Sequence, residues 1–200
     1  MERAKIRVPS ETLTRWLHGE TKFESVAAIL DSYESPKASD VQKKSAPDRH
    51  RRLSELALAE GGNTARGREI FSNGEKSGCI KCHRLGDQGG AVGPDLTGAG
   101  RRFARIHIIE SILEPNRAIA PTLRNLSVRL RDGQELTGVR VSETDSTLTL
   151  GDANGQSQPL KKDQIEELQI LELSIMPEGL ENGLTDTDFV DLVAFLAEQK

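Results

Sequence analysis

Cys79-Ile80-Lys81-Cys82-His83 is a pentapeptide with a narrow chemical meaning. Two thiols three residues apart can each add to one vinyl group of a single porphyrin. The histidine directly after the second cysteine then sits under the iron as proximal ligand, so CxxCH reads as a haem attachment site. Two rival readings fit less well. A zinc site would draw on Cys79, Cys82, His83 and His107, but the usual second ligand pair at motif spacing is missing. A thioredoxin-like dithiol needs its CxxC at the start of a helix in a βαβ unit, and no strand precedes this one.

Outward from the pentapeptide, the segment from Ser72 to Gly100 is rich in glycine. Upstream, Asn63 is placed to cap a helix carrying Gly67, Ile70 and Phe71. Downstream, residues 101–114 predict one amphipathic helix with Phe103, Ile106, Ile109, Ile112 and Leu113 inward, stopped by Pro115. After Pro121 the period changes from helical to alternating. Leu126, Val128 and Leu130, then Leu136, Val139 and Val141, then Leu148 and Leu150 read as strands. Asp132-Gly133 and Asn154-Gly155 are hairpin turns, and Gly138 marks the expected bulge. Leu160, Ile165, Leu168 and Ile170 close the unit. Residues 122–172 are therefore expected to form a small antiparallel sheet or barrel. A last helix begins near Thr185, with Asp188 placed for a capping box.

Residues 1–33 read as one or two helices. Residues 34–48 form a polar linker with two prolines, and Arg49 to Glu60 can be helical. The expected organisation is an N-terminal helical segment and linker over 1–60, a helical domain over 61–121 plus 173–200, and a β-rich insert over 122–172. The expected fold class is mainly α with a β insert.

Composition narrows the function classes. Of the 200 residues, 36% are apolar and 29% charged, as in ordinary globular proteins. Aromatics make up only 4%, so the core must rest on Leu, Ile and Val unless a large cofactor fills it. The net charge of −4 and the absence of a basic half argue against nucleic acid as the main partner. The stretch 121–174, which holds the insert, has six basic and nine acidic residues, net −3, and is not expected to attract RNA. No apolar run is long enough to span a membrane. No secretory signal is visible at the start, although haem attachment to CxxCH normally happens outside the cytoplasm. An exported, periplasmic location is expected, with this chain a fragment of a larger protein or a trimmed one.

The chain resembles the class I cytochrome c family in four motifs that occur in order: Gly67-Arg68-Glu69-Ile70-Phe71, the CIKCH pentapeptide, Gly93-Pro94-Asp95-Leu96-Thr97-Gly98, and Asp191-Leu192-Val193-Ala194-Phe195-Leu196. The resemblance implies a helical cytochrome fold interrupted by the insert, with the first and last helices crossing at Gly67, Phe71 and Phe195. It implies one covalent haem c per chain, with Pro94 accepting a hydrogen bond from His83. It also implies a distal methionine ligand, for which Met176, followed by Pro177, is the candidate. A thioether favours Fe(II) and raises the potential. More narrowly, Leu113-Glu114-Pro115-Asn116, the β-rich insert and Ser174-Ile175-Met176-Pro177-Glu178-Gly179-Leu180 resemble the C-terminal haem-binding domain of large exported planctomycete- and verrucomicrobia-type proteins. That resemblance covers roughly residues 64–198.

Around these motifs, Arg101, Arg102 and Arg105 offer guanidinium forks to haem propionates, or form a solvated helix face. Lys76 and Lys81 flank the cysteines and offer a positive rim to a partner, or are plain surface. His18 and His50 are expected to be exposed, and His107 to be an ordinary helix histidine. The expected function is single-electron transfer without catalysis of its own, as the acceptor module behind a dehydrogenase-like upstream region, with redox proteins as partners. The alternative is a haem-based sensor or peroxidase-like enzyme with a labile distal ligand. Oligomeric state is not readable from the sequence.

Overall fold

A computed structural model of the chain describes residues 45–59 and 61–200. The helices expected in 1–33, the linker up to residue 44 and His18 lie outside the described residues. Helix α1 (Ser45–Leu58) begins inside the expected linker. Pro47 falls in its first turn, where a missing N–H breaks no helical bond. Leu53 and Ala57, one turn apart, are fully buried. Arg49 donates to the carbonyls of Glu181 and Leu184 at 3.1 and 2.9 Å, and to Asn182 Oδ1 at 3.1 Å. His50, expected at the surface, is half-buried and donates to Glu181 Oε1 at 3.0 Å.

Helix α2 (Thr64–Ser72) starts where Asn63 Oδ1 accepts the N–H of Arg66 at 3.0 Å. Gly67, Ile70 and Phe71 form its buried face. Next come the single-turn α3 (Cys79–Cys82), the two-residue strands β1 (Arg84–Leu85) and β2 (Gln88–Gly89), and the short α4 (Ala99–Arg102). Helix α5 (Arg105–Leu113) follows, burying Ile108, Ile109, Ile112 and Leu113. The single helix expected over 101–114 is thus two, separated by extended Phe103 and Ala104. Phe103 is 51% exposed instead of inward. The turn has a physical cause at each side. Gly100 lies against the Ala197 carbonyl with no room for a Cβ. Arg105 donates to the carbonyls of Ala57 and Gly61 at 2.5 and 3.0 Å, which ties the start of α5 to the end of α1.

The insert is an antiparallel sheet of β3 (Asn125–Leu130), β4 (Glu135–Glu143), β5 (Thr147–Gly151), β6 (Ser157–Lys161) and β7 (Ile165–Leu171), in the order β6-β5-β4-β3-β7. β6 and β7 are not hydrogen-bonded neighbours, so it is an open sheet and not a closed barrel. Leu126, Val128, Leu130, Leu148, Leu150 and Leu160 make its own apolar core. The bulge falls between Arg140 and Ser142 and not at Gly138. Gly138 stays in register with Leu126 because its missing side chain lets Gly151 and Leu150 approach. Helices and sheet are both substantial, so the β part is more than an appendage to a helical fold.

Helix α6 (Asp186–Ala197) closes the chain with the expected capping box. Thr185 Oγ1 accepts the N–H of Asp188 at 3.1 Å, and the Asp188 carboxylate accepts the N–H of Thr185 at 3.0 Å. It crosses α2 at Gly67, where a Cβ would collide with the Asp191 carbonyl. Phe71 and Phe195 pack with ring centroids 5.8 Å apart.

Candidate haem site

The pentapeptide forms one tight turn, α3, capped by Gly78 in the left-handed region. The N–H of His83 donates to the Cys79 carbonyl at 2.9 Å, which fixes the imidazole just beyond the second cysteine. The following loop folds back onto this turn. Gly90 N–H donates to the Ile80 carbonyl at 2.9 Å and Gly93 N–H to the Cys82 carbonyl at 2.8 Å. Asp95 locks the return. Its carboxylate accepts the Thr97 N–H at 2.8 Å and pairs with Arg84 at 3.0 Å. The Thr97 bonds, then Arg84, hold its pKa down at about 2.

His83 Nδ1 lies 2.9 Å from the Pro94 carbonyl oxygen. A carbonyl only accepts, so Nδ1 carries the proton and Nε2 keeps its lone pair. Burial pushes the His83 pKa down, against the opposing pull of the Pro94 bond. A neutral imidazole with a free Nε2 is the form that ligates a metal. Gly93 lies flat against the ring: a Cβ there would stand 2.8 Å from His83 Cε1 and 2.9 Å from Nδ1. Burial also pushes both cysteine thiols up. At Cys79 the Ser77 hydrogen bond opposes this; at Cys82 the Asp152 carboxylate adds to it. Both thus favour the neutral thiol. Among the described residues, no cluster of three or more His, Cys, Asp or Glu converges on a metal position. His107, the fourth zinc candidate, is exposed and lies 3.4 Å from Glu110.

The sequence profile of the cytochrome c family matches residues 64–200. The chain belongs to the cytochrome c family. No curated protein matches it. Membership implies covalently bound haem c, and the residues present fit that group. Two neutral thiols three residues apart stand beside an imidazole with one nitrogen satisfied and one free. The glycine on the ring face leaves that imidazole unobstructed. Cytochrome c domains are typically exported. No helix among the described residues is long and apolar enough to cross a membrane.

The other site candidates of this cytochrome c domain fall in several places. Met176 is half-buried against the helical core, and its N–H donates to Ser174 Oγ at 3.1 Å. Arg101 and Arg102 are exposed on α4. Arg102 donates to the Asp95 carbonyl at 2.5 Å and lies 5.7 Å over the Phe103 ring. Arg105 is committed to the end of α1. Lys76 pairs with Asp188 at 2.9 Å, while Lys81 remains on the surface.

Two features of the site join segments far apart in sequence, which no local pattern pairs. The β5–β6 hairpin sits on the haem turn, with Gly155 against the Lys81 carbonyl. Gly151 faces Val92, where a Cβ would stand 2.7 Å from Val92 Cγ2. Asn116 reaches the Met176 loop across 58 residues of sequence. Its presence in a motif beside Pro115 was the only hint available.

Proposed function

We propose that this domain carries one haem c, ligated by His83 and Met176, and passes single electrons. Haem held there supplies a one-electron Fe(III)/Fe(II) couple. Cys79 and Cys82 anchor it, His83 supplies the proximal nitrogen and the Pro94 carbonyl fixes the imidazole plane and raises its basicity. Met176 supplies a soft thioether that favours Fe(II). With His83 and Met176 both on the iron, no position is left for substrate, which favours electron transfer over sensing or peroxidase chemistry. The His83–Pro94 contact carries this reading, because it orients a neutral imidazole with its second nitrogen free.

The motifs around Asn116 and Met176, with the insert between them, support membership of the planctomycete- and verrucomicrobia-type group. On that basis the domain is an exported, periplasmic C-terminal module of a larger protein. It accepts electrons from a dehydrogenase-like upstream part and passes them to redox proteins.

The test is an optical spectrum of protein exported with haem-maturation machinery, recorded with and without CO and titrated for potential. The expected result is a low-spin six-coordinate spectrum that resists CO and shows an Fe–S charge-transfer band. Met176→Ala loses that band and lowers the potential. A wild-type protein that binds CO readily refutes the electron-transfer reading.

A further inference from the structure

Asn116 stands just beyond Pro115, past the end of α5, and its amide is used at both ends. Oδ1 accepts the N–H of Ser174 at 2.7 Å, and Nδ2 donates to Glu178 Oε1 at 2.5 Å. These contacts lie 58 and 62 residues away in sequence. They fall symmetrically, two residues before and two after Met176. Inside this bracket the hydroxyl of Ser174 accepts the N–H of Met176 at 3.1 Å. One side chain therefore grips both shoulders of the methionine loop.

The loop is also fixed from the insert. Strand β7 ends at Leu171, and the Asn125 N–H donates to the Leu173 carbonyl at 3.3 Å. Arg124 pairs with Glu172 at 2.8 Å across the same neck. The last of these backbone bonds, at Leu173, lies one residue before the Asn116 clamp begins at Ser174.

We propose that Asn116 is a positioning residue that holds the Met176 loop closed, with the neck of the β insert as its second support. The proposal rests on Met176 being the distal ligand. A methionine is a weak ligand that competing bases displace when its loop can move away. Displacing it here first requires breaking two side-chain hydrogen bonds or bending the loop between them. Their loss favours the open loop by about tenfold, since both bonds are exposed and each contributes modestly.

The experiment compares ferric wild-type holoprotein with Asn116→Ala, Glu178→Gln and Met176→Ala. Each is titrated with imidazole while the Fe–S charge-transfer band is followed. Asn116→Ala is expected to keep the band without imidazole and lose half of it at about tenfold lower imidazole than wild type. Glu178→Gln keeps an acceptor oxygen and is expected to stay near wild type. Amide exchange at Ser174 reads the clamp without reference to the iron, and is expected to speed up in Asn116→Ala but not in Glu178→Gln. A band present in wild type and absent from Met176→Ala, with Asn116→Ala titrating like wild type, overturns the clamp alone. Wild type and Met176→Ala with the same spectrum overturn the ligand assignment beneath it.

Discussion

Gly93 shows how one missing side chain sets the chemistry of another residue. Its Cα lies over the His83 imidazole so closely that even a methyl group would meet Cε1 at 2.8 Å. Gly93→Ala must therefore tilt the ring or push the loop away, and either movement weakens the Nδ1–H bond to Pro94. The expected result is lower haem content per protein and a stability loss of about 1–3 kcal/mol, read by haem-to-protein absorbance ratio and urea unfolding. Asp191 is the buried charge of the helix crossing, with 2% of its surface exposed. Burial raises its pKa, but the Arg66 guanidinium at 2.7 Å and the Asn63 N–H at 2.5 Å outweigh this, and the net shift is downward. A depressed carboxylate stabilises the fold fully above its unfolded pKa of about 3.9, and that contribution disappears as pH falls through the lower folded value. Asp191→Asn should thus cost about 1–3 kcal/mol at neutral pH. Its urea midpoint should converge with wild type as pH falls through that lowered value. The cysteines and His83 were legible because their chemistry sits within five consecutive residues. Asp191 was legible only as part of a motif. Its partners Asn63 and Arg66 lie 128 and 125 residues away and no local pattern names them.

The crossing of α2 and α6 depends on Gly67 in the same way that the imidazole depends on Gly93. The two helix backbones meet where a side chain would collide with the Asp191 carbonyl, and Phe71 and Phe195 fill the space beside the contact. Gly67→Ala is expected to spread the helices and destabilise the domain by about 1–3 kcal/mol, measured as a fall in the thermal midpoint. The hairpin between β5 and β6 uses a glycine differently. Gly155 has φ of +82° and abuts the Lys81 carbonyl, so a side chain there is both strained and obstructed. Strands and turns were legible because alternation and Asp-Gly or Asn-Gly pairs are local signals. The break between α4 and α5 was not, because it follows from Arg105 reaching the carbonyls of α1. The bulge moved from Gly138 for a related reason: that glycine serves close packing against β5, not irregular pairing.

Among the described residues there are two separate apolar cores, one among the helices and one within the sheet. The haem turn belongs to the helical side, where Cys79, Ile80 and Leu85 pack against buried Phe71, Phe195 and their neighbours. Helix α1 belongs there too, through Leu53 and Ala57. The sheet touches the haem turn at Gly155 and the loop after it at Gly151, and it meets the methionine loop at its neck. Its six buried core residues form a cluster of their own, apart from the helical core, so the sheet is expected to keep its packing without the cofactor. Covalent haem, by contrast, stabilises the part that binds it, because ligation is lost on unfolding. Replacing both anchoring residues, as in Cys79→Ser with Cys82→Ser, should therefore affect the two parts unequally. Amide protection in α3 and the 174–178 loop should fall sharply. Protection in β3, β4 and β5 should stay within about threefold of the haem-loaded protein, a difference under 1 kcal/mol. Hydrogen exchange resolved by residue separates these outcomes. Equal loss of protection in sheet and haem turn would mean that the insert folds only around the loaded site.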